Sequence, residues 1–433
     1  MKKIKLYPLK NPITKTILLP GCIGYTIRAL NIAAMTKGSV KILNPLISDD
    51  TAHMFNALQT LGIVVEEKPN AFIVHGDIHD VVEKEYNIDI GLSGRTARSI
   101  LGLLSIVPGT KIVTCKEPFK KRPIADLVDG LRQLGSKIEY LEQDGHLPVK
   151  ITSSKLTISS TKMKGELSSQ YFSSLMMIAP LVGGLTIDVI GEQSSKPFID
   201  MTIAIMKSFG VSVVNKDYKQ YIIENTEQYK NPEVYEVEPE ATSASYFFAI
   251  AAITKSTIKI LHLSPNSAQG DIAFADILEK MGCRIIKDTE NKWIEVTGTD
   301  QLNGIKINMN ATPDLVPTLA IVAAFAKGKT IITDIAHVRL KETDRISSPQ
   351  NELKKMGIRT ESTEDTFTIL GGKPQPATID TYHDHRMAMA FATAGATISE
   401  ITINDPDVVN KSFPEFWNKL EEIGMIVERI NIS

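Results

Sequence analysis

Small and apolar residues recur in helical register, followed by a turn and a β-branched run, six times along the chain. Ala29-Leu30-Asn31-Ile32-Ala33-Ala34-Met35 leads to Val40-Lys41-Ile42-Leu43. Residues 99–106 lead to 111–113, 174–180 to 185–187, 247–253 to 257–260, 318–326 to 330–332, and 388–396 to 401–403. Each copy is followed by a second, amphipathic helical stretch that stops at a glycine: Gly62, Gly135, Gly210, Gly282, Gly357 and Gly424. Glycine at that place supplies the left-handed residue that ends a helix. The apolar positions before each stop, for example Leu127, Val128, Leu131 and Leu134, fall at helical spacing. Successive stops lie 73, 75, 72, 75 and 67 residues apart, a near-constant register that chance α/β patterning does not give.

Each repeat therefore reads as two helices and several strands over about 70 residues, a unit too small to bury its own faces. Six such units divide into two α/β globes of three. The seam is expected near Glu236-Val237-Glu238-Pro239-Glu240, an acidic stretch with a proline. The small residues of the first-type helices (Ala33, Ala34, Ala251, Ala252, Ala323, Ala324) permit close packing inside each globe. A cleft between two globes is an ordinary place for a substrate.

Composition narrows the function classes. The chain has 433 residues, 43% hydrophobic and 23% charged, as in globular proteins with sizeable cores. A net charge of −2 carries no basic footprint for nucleic acid, so no nucleic-acid partner is expected. Cys22, Cys115 and Cys283 are too few and too scattered for a disulfide framework or a zinc site, and they fit a reducing, cytoplasmic setting. The N-terminus has no long apolar run after its lysines, and no stretch reaches 18 clean apolar residues. Neither a signal peptide nor a membrane span is expected.

The polar clusters fall at helix starts. Arg339-Leu340-Lys341-Glu342-Thr343-Asp344-Arg345 lies between a strand (330–335) and a helix (346–356). A cation, a carboxylate and a second cation this close can hold an anion and move a proton, unless Thr343 or Asp344 simply caps a solvated helix. Leu19-Pro20-Gly21-Cys22-Ile23-Gly24-Tyr25-Thr26-Ile27-Arg28 is expected to precede the first repeat helix, and Gly91-Leu92-Ser93-Gly94-Arg95-Thr96-Ala97-Arg98 is the matching loop of the second. Lys116, Lys120, Lys121 and Arg122 put four cations in seven residues before Pro123. Ser168-Ser169-Gln170 and Ser195-Lys196-Pro197 open further helices with hydroxyls that suit either a phosphate or a plain cap. Asp314 follows Thr312-Pro313, His383-Asp384-His385-Arg386 opens the sixth repeat helix, and Lys411 stands just before Ser412-Phe413-Pro414. The His383/His385 spacing can bind zinc, but Arg386 next to it and the lack of a Cys or Glu partner pattern argue against a metal. Several helix starts directed into one cleft build an anion site.

These residues resemble the 3-phosphoshikimate 1-carboxyvinyltransferases, the EPSP synthase family, over residues 16–426. The resemblance rests on Ser48-Asp49-Asp50, Lys121-Arg122-Pro123-Ile124, Ser168-Ser169-Gln170, Ser195-Lys196-Pro197, Lys341-Glu342-Thr343-Asp344-Arg345, Asp384-His385-Arg386-Met387-Ala388-Met389 and Lys411-Ser412-Phe413-Pro414. It implies an α/β two-globe enolpyruvyl transferase fold, each globe three βαβαββ repeats in an inside-out α/β barrel. It further implies that residues 1–20 join 239–433 in one globe and 21–238 form the other. The implied reaction transfers the carboxyvinyl group of phosphoenolpyruvate to the 5-hydroxyl of shikimate 3-phosphate and releases phosphate, in a monomer with no metal or organic cofactor. Carried over by motif, Gly94, Arg122, Gln170, Arg345, Arg386 and Lys411 would bind phosphoenolpyruvate. Arg28, Ser168, Ser169, Gln170, Ser195, Asp314 and Lys341 would bind shikimate 3-phosphate. Asp314, Glu342 and His385 would be catalytic, with Glu342 at the methylene carbon and Asp314 near the attacking hydroxyl.

The chain departs from the family pattern in places. The family's Pro-Gly-Ser-Lys-Ser-x-Ser-Asn-Arg is Pro20-Gly21-Cys22-Ile23-Gly24-Tyr25-Thr26-Ile27-Arg28 here, so Ile23 stands for a lysine and Gly24 for a serine. Gly-Asn-Ala-Gly-Thr is Gly91-Leu92-Ser93-Gly94-Arg95, while Phe198 replaces a tyrosine and His337 an asparagine. An aliphatic chain cannot make good a charge lost from a buried anion site. Three readings stand: the carboxyvinyl transfer itself; a paralogue acting on a related cyclic phosphate, with another acceptor or by phosphate elimination; and a non-catalytic binder.

Overall fold

The computed structural model describes residues 2–152 and 154–431. The chain divides into two compact units, one of Met1–Pro20 with Pro239–Ser433 and one of Gly21–Glu238. Each contains three four-stranded mixed sheets.

The second repeat shows the common plan. Its strands lie in the spatial order Glu85–Asp89, Thr110–Thr114, Val149–Thr152, Lys137–Tyr140, the first pair parallel and the others antiparallel. A parallel pair needs a crossover, and the helix Gly94–Ile106 supplies it. The amphipathic helix Ala125–Gln133 then carries the chain to Lys137–Tyr140, which returns by a hairpin to Val149–Thr152. This is the βαβαββ order implied by the family resemblance.

Strands distant in sequence close both units. Val234–Glu236 pairs parallel with Gly38–Leu43, so the end of the Gly21–Glu238 unit supplies the first strand of its first repeat. Thr14–Ile17 does the same for Thr257–Leu261. Lys2–Tyr7 lies antiparallel between Ile401–Asn404 and Ile426–Asn431, and so ties the N-terminus to the sixth repeat.

The small-residue helices are the interior elements. Ala241–Thr254, Val316–Ala324 and His385–Ala394 pack on one another, and nearly every residue in them is buried. Burial on all sides explains their lack of a polar face. In the other unit Ile23–Ala34 and Ser169–Ile178 both pack on Gly94–Ile106. Gly102 lies in the middle of that helix because a Cβ there would come 2.7 Å from the carbonyl oxygen of Ser174. The outer helices all end as their glycines predict: Gly62, Gly135, Gly210, Gly282, Gly357 and Gly424 have φ of 91°, 105°, 78°, 110°, 77° and 104°.

Local boundaries differ from the sequence reading in four places that matter for the site. The first repeat helix begins at Ile23, so Ile23, Gly24 and Arg28 are helical and not part of a preceding loop. The second repeat helix begins at Gly94, so Gly94, Arg95 and Arg98 are helical and not part of a loop. The strand before Arg339 ends at Thr333, and a 3₁₀ turn, Ala336–Leu340, follows it. Asp314 belongs to a 3₁₀ turn, Pro313–Leu315, that leads into Val316–Ala324.

Candidate active site

The segment between the 3₁₀ turn Ala336–Leu340 and the helix Ser347–Lys355 divides its charges between two tasks. Asp344 does the capping: its Oδ1 accepts from the backbone N–H groups of Ile346 (2.9 Å) and Ser347 (3.0 Å). Its Oδ2 accepts from Arg339 Nη1 at 2.6 Å. With the helix start satisfied, Glu342 and Arg345 are released for another role.

Arg345 is 1% exposed and is the hub of a network drawn from separate repeats. Its Nε donates to Asp384 Oδ2 (2.8 Å), Nη1 to Asp314 Oδ1 (2.7 Å), and Nη2 to Glu342 Oε2 (2.8 Å) and Asp384 Oδ1 (3.2 Å). Arg386 Nη2 donates to the other oxygen of Asp314 at 2.8 Å, and Lys411 Nζ to the other oxygen of Glu342 at 2.7 Å. Asp384 also caps the helix His385–Ala394, its Oδ1 accepting from Arg386 N at 2.8 Å. Three cations thus meet three carboxylates in a buried setting where charge-assisted bonds are strong.

The electrostatics follow from this matching. Burial pushes the Glu342 carboxyl up, but Arg345 and Lys411 outweigh it and hold Glu342 well below the usual carboxylate range. Burial opposes charge on Arg345 and Arg386, yet the neighbouring carboxylates hold both guanidiniums above their ordinary value. His385 is driven well below the usual histidine range by burial and then by Arg386 and Lys411, so its imidazole is neutral. Neither ring nitrogen of His385 makes a hydrogen bond within the described residues, although Nδ1 stands 3.4 Å from Asp384 Oδ1. His383, by contrast, is 93% exposed and bonds Asp405 at 3.0 Å, so the two histidines do not form a metal pair. Among the described residues no group of three or more His, Cys, Asp or Glu side chains has the geometry to hold a metal ion.

Two neighbours of this cluster escaped the sequence reading. Burial and the charge of Asp314 push the Asp271 carboxyl up to about 7, and the Thr242 hydroxyl donates to it. The Tyr246 hydroxyl lies beside Arg386 inside the core. Asp384 was in plain view, flanked by candidates, but only its contacts reveal that it holds Arg345. Lys341 is exposed and stands outside the Arg345 network; burial of His337, and then the charge of Lys341, lower the pKa of His337.

The Gly21–Glu238 unit holds a different cluster. Arg28, 7% exposed, donates from Nε to Thr202 Oγ1 (2.8 Å), from Nη1 to the Gly24 carbonyl (2.9 Å), and from Nη2 to Ser173 Oγ (3.3 Å) and the Phe198 carbonyl (3.2 Å). All four acceptors are neutral. Burial, reinforced by Arg95, pushes Arg28 down to about 10 against the weaker pull of Cys22 and Tyr25. Thr202 and Ser173 were not foreseen; as hydroxyls on largely buried helix faces they were the available signal.

The other predicted donors of this unit sit at its helix starts and turns. Ser195 takes a left-handed backbone, φ 52°, before the helix Lys196–Ser208, and its carbonyl accepts from Phe198 N at 3.1 Å. Ser168 caps the helix Ser169–Ile178, its Oγ accepting from Gln170 N at 3.3 Å. Arg98 Nη1 reaches Gln170 Oε1 at 3.4 Å and its guanidinium covers the Tyr171 ring. Arg98 thus bonds Gln170, while Arg95 acts electrostatically on Arg28. Gly94 and Arg122 are neighbours: a Cβ on Gly94 would stand 3.4 Å from Arg122 Nη1 and 2.8 Å from the Phe119 ring. Ile23 is 2% exposed in the first helical turn, an apolar contact where the family pattern has an ammonium.

Comparison with known proteins places the chain among named relatives along nearly its whole length. The profile of the EPSP synthase (3-phosphoshikimate 1-carboxyvinyltransferase) family matches residues 9–420. A 3-phosphoshikimate 1-carboxyvinyltransferase of Sulfurovum sp. (strain NBC37-1) is 40% identical over 98% of this chain and 100% of its own length. One from Vibrio vulnificus (strain YJ016) is 39% identical over 98% and 99%. Among solved structures, an EPSP synthase from Acinetobacter baumannii has a TM-score of 0.87 at 24% identity, covering 100% of both chains. The enolpyruvyl transferase NikO from Streptomyces tendae has a TM-score of 0.80 at 17% identity, covering 100% of this chain and 99% of its own. The solved structures speak for the fold, and the family profile and full-length relatives for the lineage: this chain belongs to the EPSP synthase family.

Proposed function

We propose that this chain transfers the carboxyvinyl group of phosphoenolpyruvate to the 5-hydroxyl of shikimate 3-phosphate and releases phosphate. The observation that carries this reading is Arg345 bonded at once to Asp314, Glu342 and Asp384, with Arg386 and Lys411 on the outer oxygens. The paralogue reading draws no support from the relatives reported above, which carry the carboxyvinyltransferase name over nearly the whole chain.

The reaction needs one carbon protonated and one hydroxyl deprotonated. Asp314, an acceptor ion-paired with two arginines, takes the hydroxyl proton as the oxygen attacks C2 of phosphoenolpyruvate. Glu342 delivers a proton to the methylene carbon. The product keeps its CH₂ group, so the methyl formed in this addition must return a proton as phosphate leaves, and Glu342 is placed to receive it. In the ligand-free cluster Glu342 is ionised and cannot donate. A substrate carboxylate or phosphate that recruits Lys411 and Arg345 withdraws the charges that hold it so, and burial then raises its pKa. Arrival of the anion thus arms the acid.

Arg28, Ser168, Ser169, Ser195 and Gln170 are assigned to the phosphorylated acceptor, as a buried cation and hydroxyls suit a phosphate. Lys341, exposed on its own unit, is assigned to the same substrate, and Arg122 and Gly94 to phosphoenolpyruvate. A cytoplasmic, monomeric enzyme without cofactor or nucleic-acid partner completes the proposal. The free cysteines agree with a reducing compartment, and no described helix is long and apolar enough to cross a membrane. A phosphate-release assay tests it: release is expected only when shikimate 3-phosphate and phosphoenolpyruvate are both present. Release from shikimate 3-phosphate alone would establish the elimination reading instead, and none under any condition the binding reading.

A further inference from the structure

Glu352 is 0% exposed on the helix Ser347–Lys355, two turns past Arg345, and touches none of the groups assigned to the reaction. Its carboxylate is nevertheless fully occupied. Oε1 accepts from the Tyr382 hydroxyl at 2.7 Å, and Oε2 from the backbone N–H of Asp380 at 3.1 Å and from Lys355 Nζ at 2.8 Å. Lys355 Nζ also reaches Asp380 Oδ2 at 2.7 Å, and Asp380 Oδ1 accepts from Asn404 Nδ2 at 2.6 Å. All these bonds converge on residues 380–382, the loop that enters the sixth repeat helix.

That loop is bent against its own preference. Tyr382 and His383 have φ of 53° and 56°, consecutive left-handed residues with full side chains, and Asp384 N closes the turn on the Thr381 carbonyl at 2.8 Å. Mirror-image turns of this kind favour Asn and Gly, and bulky residues hold them only where the surroundings over-determine the backbone. The residue leaving the turn is Asp384, which holds Arg345 and caps the helix bearing His385 and Arg386. The same two segments are therefore joined twice, by Arg345 with Asp384 at the chemical end and by Glu352 with Asp380 and Tyr382 behind it.

We propose that Glu352 is a positioning residue: by clamping Asp380 and Tyr382 it enforces the left-handed Tyr382-His383 turn and so sets where Asp384, His385 and Arg386 stand. The proposal rests on the carboxyvinyl-transfer reading for its kinetic arm and stands without it for its structural arm. The full chain is compared with Glu352→Gln and Tyr382→Phe, the second removing one bond without touching the buried carboxylate. For folded Glu352→Gln, kcat is expected to fall by about 10–100-fold, the scale of a small misplacement of catalytic groups, with a smaller change in the KM for phosphoenolpyruvate. Tyr382→Phe should show the same pattern more weakly. Hydrogen–deuterium exchange of the ligand-free protein should speed up over residues 380–390 while the helix Val316–Ala324 keeps its protection. Unchanged kcat and local exchange in both variants would overturn the proposal, as would faster exchange across the whole unit with normal kcat in the folded fraction. If the wild-type protein turns over no substrate, the function reading fails, and the exchange pattern alone decides for or against the clamp. If Glu352→Gln does not fold, Tyr382→Phe carries both arms.

Discussion

The two polar clusters of this protein handle buried positive charge in opposite ways. In the C-terminal unit Arg345, Arg386 and Lys411 are matched by Asp314, Glu342 and Asp384, and each guanidinium is held above its ordinary value. In the Gly21–Glu238 unit Arg28 is equally buried but bonded only to neutral oxygens, and its pKa is depressed. In the first arrangement each cation has a carboxylate partner; in the second a desolvated guanidinium rests on neutral oxygens alone. Under the function proposed above, this difference would divide the labour of the reaction, acid–base chemistry in one cluster and anion capture in the other.

The largest effect that can break this comparison is loss of the hub. Arg345→Met leaves the buried Asp384 and the partly buried Asp314 and Glu342 without their common partner and should cost about 3–5 kcal/mol of stability in urea unfolding. Wild-type stability in that variant would show the network to be ornamental. Next comes chemistry: Glu342→Gln should lower turnover by about 100-fold or more with the fold intact, the usual scale of general acid–base catalysis. Near-normal turnover would remove Glu342 from the proton path.

In the Gly21–Glu238 unit Arg95 acts on Arg28 from the first turn of the helix Gly94–Ile106, at a position where the family has threonine, while Ile23 stands where the family has a lysine. Arg95 is therefore expected to return part of the missing positive charge. Arg95→Thr should weaken phosphoenolpyruvate binding in calorimetry by about 1.5–3 kcal/mol, the worth of a charge-assisted hydrogen bond. The added change Ile23→Lys should restore it. Equal affinity in wild type and Arg95→Thr would mean that Arg95 serves solvent. The smallest effect is in acid. A carboxyl depressed in the folded state adds stability that is whole above its ordinary pKa of 4.5 and drains away as pH falls through the folded value. Below pH 4.5 the wild-type protein should therefore lose stability more steeply than Glu342→Gln. Parallel slopes would place no net depression at Glu342.

What the sequence determined by itself is local and periodic. Helix stops need a residue that tolerates positive φ, so six glycines announced six outer helices. Interior helices need small side chains, so alanine-rich runs marked the packed centre. The charged residues of the site were visible because cations and carboxylates at helix starts are conspicuous in any chain. Three matters were decided only by the tertiary structure, because each depends on residues that sequence distance hides. Strands from one end close sheets at the other, as Lys2–Tyr7 does between Ile401–Asn404 and Ile426–Asn431. Which residue of a charged run caps and which joins the ion-pair network depended on neighbours: Asp344 took the helix start, held by Arg339, leaving Glu342 to Arg345 and Lys411. The charge state of each site residue followed from burial and partner together, the same burial leaving Arg28 short of a counter-ion and Arg345 with three. No periodicity encodes that balance, since pairing energies in a buried site depend on distances of a few ångströms between repeats that the chain joins only by folding.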